Sequence, residues 1–144
     1  MKRASSSRVA SKYLFSKFMG DPDLWKLRRK PNKEEVSSIK DTSWQDWERH
    51  PLPEDLFKYF KKHPDAEVVP LDLLEPIRAR PKGISNANRY MWLNYWGHGE
   101  GGRKPISLTD EDHDGVFEVQ DGNSTYENAV YSDWDSIYGI IEED

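Results

Sequence analysis

The chain has 144 residues, 35% of them hydrophobic and 33% charged, with a mean hydropathy of −0.94, which suits one domain with a solvated part rather than two full cores. Its 6 Trp, 7 Tyr and 5 Phe exclude wholesale disorder, and the absence of cysteine excludes disulfide frameworks, thiolate zinc sites and cysteine nucleophiles. No apolar run has the length that spans a bilayer and the start lacks the apolar centre of a secretory signal, so a cytoplasmic, non-membrane protein is expected.

The net charge of −5 is unevenly spread: residues 1–40 carry 11 Lys/Arg against 4 Asp/Glu, and residues 41–144 carry 10 against 22. A basic arm on an acidic body is the pattern of a tail that binds nucleic acid or an acidic protein surface. The plainer alternative is an arm lying near its own body.

Residues 1–20, "MKRASSSRVASKYLFSKFMG", form the arm, rich in Ser, Lys and Arg and free of acids. Val9, Tyr13 and Leu14 fall at helical spacing, which allows a short basic amphipathic helix over Arg8–Phe18. The same composition fits a mitochondrial presequence as a minor alternative. Residues 21–64 read as a helical extension. A short helix is expected around Leu24–Arg29, broken at Pro31. Ser43 and Asp46 are placed as an N-cap pair for a brief helix carrying Trp44 and Trp47 on one side. The stretch "PEDLFKYFKKHP" has Pro53 at a helix start, acids in the first turn, Lys61 and Lys62 in the last, and Leu56, Phe57 and Phe60 as the face to bury.

From residue 65 to 144 the texture is that of a single α+β domain. A strand is expected over Val68–Leu71, then a Pro/Gly loop with Arg78 and Arg80. A helix follows, capped near Ser85 and ended by Gly97 as its C′ glycine. "KPISLT" and "GVFEVQ" read as strands, "NSTYENAVYS" as a helix and "SIYGIIEE" as a last strand. The order β-α-β-β-α-β predicts a small mixed sheet with packed helices.

Two motifs overlap between Asp110 and Ala129. Asp110, Asp112, Asp114, Gly115 and Asp121 match the opening of a calcium loop, because a hard cation takes clustered carboxylate oxygens and a glycine permits the bend. Position twelve is Asp rather than Glu, Pro105 and β-branched residues stand where an entering helix belongs, and Gly122 stands where the exit helix would begin. The preferred reading is a solvated hairpin connection with an Asp-Gly turn. The second motif is a strand, Phe117 to Val119, running through Asp121-Gly122 into a helix opened by Asn123, Ser124 and Thr125. Free N–H groups and the positive dipole end at such a start attract anions. Ser124 and Glu127 are also spaced as a capping box, which needs no ligand. The four histidines, at 50, 63, 98 and 113, show no ligand spacing, and surface or capping roles are expected for them.

The blocks "EVVPLDLLEPIRARP", "GGRKPISL" and "GVFEVQDGNSTYENAV…DSIYGIIEE", taken in order across residues 66–144, resemble the ParB/sulfiredoxin superfamily (the ParB-like nuclease domain), as a divergent member. The resemblance implies a sulfiredoxin-like fold and a nucleotide seated on the turn from Asp121 to Thr125. It implies activities among nucleotide binding and hydrolysis, phosphoryl transfer and DNA cleavage, and small relatives of this type are frequent in plasmid and phage settings. Carried over, Gly122, Asn123, Ser124 and Thr125 line the phosphates and Arg80 is the loop arginine, with Arg103 as a further helper. Asp121 is the first candidate for base or metal, with Glu127 and then Glu118 behind it. Mg²⁺ with a nucleoside triphosphate is the implied cofactor. The chain departs from the family in having Ser124 and Thr125 where His-Arg or Arg-Arg is usual, in lacking the sulfiredoxin cysteine, and in having no following helix-turn-helix. The expected function is therefore nucleotide binding, with or without catalysis. The alternative is an inactive interaction module that binds nucleic acid or a protein through residues 1–40.

Overall fold

The computed structural model describes residues 30–77, 81–99, 101–112 and 114–142. The expected arm, the helix around Leu24–Arg29, and Arg78, Arg80 and His113 lie outside the described residues.

The first described helix, α1 (Lys33–Asp41), was not expected. Asn32 Oδ1 accepts from the Glu35 backbone N–H, and Glu35 Oε1 accepts from the Asn32 N–H, closing a reciprocal capping box. Val36 and Ile39, one turn apart, are its buried residues. Beyond it, Ser43–Asp46 makes a single turn rather than a helix. The Ser43 hydroxyl donates to the Asp46 carboxylate at 2.9 Å, so the polar pair is used side chain to side chain and does not cap a backbone. Trp47 is buried, whereas Trp44 is half-buried. Helix α2 (Leu56–Tyr59) is one turn long, much shorter than its flanking prolines predict. The chain leaves it at Phe60 to pair with Arg103. That early exit turns Tyr59 and Phe60 inward and leaves Phe57 77% exposed, against the expectation that Phe57 is buried.

The sheet has five strands in the order β1-β5-β3-β4-β2. Strand β1 (Glu67–Pro70) pairs antiparallel with β5 (Ser136–Ile141), which runs parallel to β3 (Ile106–Thr109). Strand β4 (Phe117–Asp121) is antiparallel to β3, and β2 (Leu74–Pro76) adds in parallel to β4. The architecture is mixed α+β, as expected, with β2 as an extra strand inside what reads as a Pro/Gly loop. Three residues ending in proline are a weak strand signal, and β2 forms because β4 offers it an edge. Between β1 and β2 a 3-10 turn, Leu71–Leu73, lets the chain change sheet edge.

Ile106, Leu108, Val119 and Ile137 alternate inward, while their strand neighbours are only partly covered, so the sheet buries one face. On that face lie α4 (Asn123–Tyr131) and, packed against α4, α3 (Pro81–Tyr95). Helix α3 starts at Pro81, a proline at the first helical position, and so begins earlier than Ser85. Its far end is as expected: Gly97 has φ +83°, its N–H donates to Asn94 and the His98 N–H donates to Leu93 O at 2.8 Å, the paired bonds of a Schellman cap. No helix among the described residues is long and apolar enough to cross a membrane.

One core spans extension and sheet, from Val36 and Ile39 through Trp47, Leu52 and Tyr59 to Leu108, Trp134 and Ile137. Tyr59 stacks between Trp134, at 5.2 Å, and Tyr95, at 5.9 Å, and its hydroxyl donates to Pro53 O. The irregular segment Trp47–Leu52 crosses this core, and side chains of α3, α4 and the turn after α4 satisfy its backbone. Asn88, fully buried, accepts at Oδ1 from Trp47 Nε1 and the His50 N–H, and donates to His50 O and to Asn128 Oδ1. Trp92 Nε1 also donates to His50 O, Ser132 Oγ accepts from the Leu52 N–H, and Trp134 Nε1 donates to Leu52 O.

The His50 ring is fully buried, contrary to the surface role expected of it, and burial pushes its pKa down from 6.5 to about 3. Of the other described histidines, His63 Nδ1 accepts from the Asp65 N–H in a turn, and His98 Nε2 contacts Pro31 O at 3.1 Å.

Two stability predictions follow from this core. Asn88 uses all of its amide's donors and acceptors, so Asn88→Ala takes a partner from the buried Trp47 indole and from the His50 N–H, and leaves His50 O one donor fewer beside Trp92 Nε1. A loss of about 3 kcal/mol or more is expected in urea denaturation. His50 stays neutral in the fold while the unfolded chain protonates below pH 6.5. Stability from this group is therefore complete above pH 6.5 and is lost as the pH falls toward 3. By pH 5 the loss is about 2 kcal/mol, and His50→Leu should remove that increment from the pH 7 to pH 5 difference in unfolding free energy.

Candidate functional site

The β3–β4 connection is a hairpin loop, not a helix–loop–helix. Asp110 Oδ1 accepts from the Asp114 N–H and Asp114 Oδ1 from the Val116 N–H, with Gly115 at φ +84°. These carboxylates shape the turn. Among the described residues no group of three or more His, Cys, Asp or Glu is arranged to hold a metal ion, so Asp110, Asp112 and Asp114 gain no structural support as calcium ligands. Nearby Glu118 has its pKa raised by partial burial and by the carboxylates of Glu111, Asp112, Glu75 and Asp114, and it points to this acidic cluster rather than to a cleft.

The second motif leads elsewhere. Strand β4 meets β3 with a register slip: Ser107 pairs with Asp121 but Leu108 with Val119, a bulge of the kind that re-aims a strand end. Gly122 then takes φ +92°, a left-handed conformation that favours glycine. A Cβ built there would lie 2.5 Å from Ile106 Cγ2, so the turn is pressed directly onto β3.

Gly122 is the N-cap of α4, and no side chain caps the helix. The expected Ser124–Glu127 capping box is therefore not formed. Ser124 is already inside the helix, two residues past the cap position. The Tyr126 N–H, bonding to Gly122 O at 2.9 Å, closes the first turn, and the N–H groups of Asn123 to Thr125 precede any intrahelical acceptor. Asn123 is occupied structurally: its Nδ2 donates to Val119 O and its Oδ1 accepts from the Ile77 N–H, tying the turn to the end of β2.

A cleft of about 580 Å³ opens beside this helix start. Asp121, Gly122 and Thr125 line it from the turn, Arg103 and Lys104 from the approach to β3, Tyr90, Asn94 and His98 from α3 and its cap, and Lys40 and Lys61 from the extension. Arg103 is set by a local pairing. Its N–H donates to Tyr59 O at 2.7 Å and its carbonyl accepts from the Lys61 N–H at 2.8 Å. Gly102, at φ +89°, permits this approach, since a Cβ there would stand 3.0 Å from the Phe60 carbonyl carbon and from Tyr59 O. The same pairing places Lys61 on the cleft wall.

The Arg103 side chain is held at one end only. Nε donates to Thr125 Oγ1 at 2.7 Å, and among the described residues no hydrogen bond occupies either Nη nitrogen. Burial lowers the Arg103 pKa from its ordinary value and Asp121 opposes that shift; an arginine stays charged under both influences. Asp121 is exposed, with Oδ1 accepting from the Gly122 N–H at 3.0 Å. Among the described residues the cleft thus presents a two-pronged cation, three lysines, an uncapped helix start and a single carboxylate.

Of the residues expected to form a site, the structure brings together Arg103, Asp121, Gly122 and Thr125. Ser124 and Glu127 do not line the cleft, Asn123 is a structural brace, and Arg80 is outside the described residues. Lys40, Lys61, Lys104, Tyr90, Asn94 and His98 were not foreseen. They come from segments remote in sequence, and only the basic pair Arg103-Lys104 carried a local hint. Compared with protein-family models, with curated proteins and with solved structures, the chain matches none of them, so what the cleft does is argued from its own geometry.

Proposed function

We propose that the cleft binds a phosphorylated ligand, a nucleoside triphosphate with Mg²⁺, and that the α+β body is a divergent member of the ParB/sulfiredoxin superfamily. The observation that carries this reading is the Arg103 guanidinium, fixed through Nε and, among the described residues, open at both Nη atoms beside an uncapped helix start. A fork with two parallel N–H donors matches two phosphate oxygens. An ordinary structural arginine spends those donors on a carboxylate or on carbonyls. Lys40, Lys61 and Lys104 add charge around the same space.

The reading also addresses the missing arginine of the turn. Where the resemblance leads one to expect a basic residue at Ser124 or Thr125, Thr125 instead accepts from Arg103, which reaches the same helix start from the segment before β3. The cation is supplied from a different place in the chain.

Asp121 fits the role of a metal-sharing carboxylate. It is the one carboxylate among the described lining residues, and Mg²⁺ is commonly held by one or two carboxylates together with phosphate oxygens. Bound there, the ion would supply charge neutralisation. Of the three acids considered for catalysis, Asp121 alone lines the cleft, so any phosphoryl chemistry would fall to it and to positioning by the cations.

Titration of the full chain with Mg²⁺ and CTP, then ATP, followed by amide NMR shifts, tests the reading. Shifts should centre on Gly122–Thr125, Arg103 and Lys61. Arg103→Gln should weaken binding by about 10- to 100-fold, the loss of a charged hydrogen bond, with Arg103→Lys in between because it keeps charge without the fork. Glu127→Gln should leave affinity unchanged. Absence of shifts at millimolar nucleotide, or equal affinity in wild type and Arg103→Gln, sinks the proposal. Asp121→Asn supplies a second check. It should tighten binding of metal-free nucleotide by removing a like charge, and should abolish the gain in affinity on adding Mg²⁺.

A further inference from the structure

On the other side of the Phe60–Arg103 pairing lies a second concavity, of about 450 Å³, built at the β1 edge of the sheet. Its centre is aromatic. Phe57, 77% exposed, meets the Tyr138 ring edge-on at 5.9 Å, and Phe60 meets the same ring at 5.9 Å from another side. Val68, the register partner of Tyr138 across β1 and β5, is 54% exposed and continues the apolar surface along the edge strand. A largely exposed phenylalanine beside a partly buried tyrosine and an exposed valine is the kind of contiguous apolar patch that marks a docking surface.

The rim tells what docks. Lys61, Lys62 and His63 border the groove, and no Asp or Glu is among its described lining residues. This happens in a part of the chain, residues 41–144, that has 22 acids and 10 Lys/Arg. A cation-rimmed apolar groove on an acidic body complements an apolar anchor with acids beside it. The chain's own arm does not fit, because residues 1–20 hold five Lys/Arg and no acid. Strand addition to β1 is also disfavoured, since the strand has four residues and ends in Pro70. Recognition would therefore run through side chains.

We propose that this groove docks a peptide segment of a protein partner, with one bulky apolar side chain seated against Phe57 and Tyr138 and with flanking Asp or Glu on Lys61, Lys62 and His63. Single-stranded nucleic acid, which also pairs aromatics with lysines, is the less favoured occupant. The rings stand edge to face at 72° and 88° rather than as a flat stacking platform. The inference does not rest on the nucleotide reading, because the two concavities share Lys61 alone.

The test is a selection of random displayed peptides on the full-length protein, run in parallel on Phe57→Ser, which an exposed position tolerates. Peptides enriched on wild type should carry an aromatic or branched aliphatic anchor with acids close by. The synthesised winners should bind Phe57→Ser at least about tenfold more weakly, as truncation of an interface anchor does. Lys62→Glu should weaken them as well and shift a fresh selection toward basic flanks. No enrichment, winners with neutral or basic flanks, or winners indifferent to Phe57→Ser overturn the proposal. So does Phe57-dependent binding of a single-stranded oligonucleotide in place of peptides. A concentration-dependent dimer in sedimentation that Phe57→Ser abolishes overturns it too, by making a second copy the occupant.

Discussion

The constraint on which the rest of the structure depends is the buried amide of Asn88. The segment from Trp47 to Leu52 runs through the core without helix or strand, so its backbone polar groups must be met by side chains or leave the fold short of hydrogen bonds. Asn88 closes the circuit: it binds both the N–H and the carbonyl of His50, receives the Trp47 indole, and reaches across to Asn128. Asn128 in turn donates to Ile84 O on α3 and to Ser124 O within α4. One polar chain thus fixes the extension, α3 and α4 relative to one another. Because low dielectric strengthens a satisfied network and penalises a broken one, the arrangement has a single low-energy geometry.

That geometry matters for the cleft because the extension is one of its walls. Lys40 stands at the last turn of α1 and Lys61 just past α2, and neither would face α4 unless Trp47–Leu52 held the extension down. Tyr59, clamped between Trp134 and Tyr95, sets the height at which Phe60 and Lys61 meet Arg103. The described part of the extension, residues 30–64, is therefore one wall of the cleft and shares its core with the sheet.

The sequence was legible where local chemistry decides. The Gly97 cap, the β3–β4 hairpin with its Asp-Gly turn, and the strand–glycine–helix passage at Gly122 are all local, and each stands where its residues imply. It was misleading where tertiary contacts override local preference. Pro53, Glu54 and Asp55 look like a helix opening, but pairing with Arg103 takes the chain away after one turn. Ser124 and Glu127 look like a capping box, but Gly122 in a left-handed conformation starts α4 earlier. Helix α1 was missed although Asn32 and Glu35 carry the reciprocal cap in plain view. Pro31, which reads as a breaker, directly precedes that start signal. The site divides the same way: Gly122, Thr125 and Asp121 belong to one local turn, whereas Lys40, Lys61 and Tyr90 meet it only through packing.

The distribution of charge ties these features together. An acidic body repels anions at long range, so a site for phosphate on this chain must create its own field locally. The cleft does so by gathering Lys61, Arg103 and Lys104 from a part of the chain short of cations, and by taking Lys40 from the basic first forty residues. Half-burial of Arg103 removes water that would otherwise screen it, and among the described lining residues Asp121 alone offsets the positive charge. A carboxylate at that place is costly for anion binding unless a cation comes with the anion. The pairing of Arg103 with Asp121 across Gly122 is thus better suited to a metal-bound polyphosphate than to a bare phosphate. In the proposed reading Arg103 would take the oxygens and Asp121 the metal.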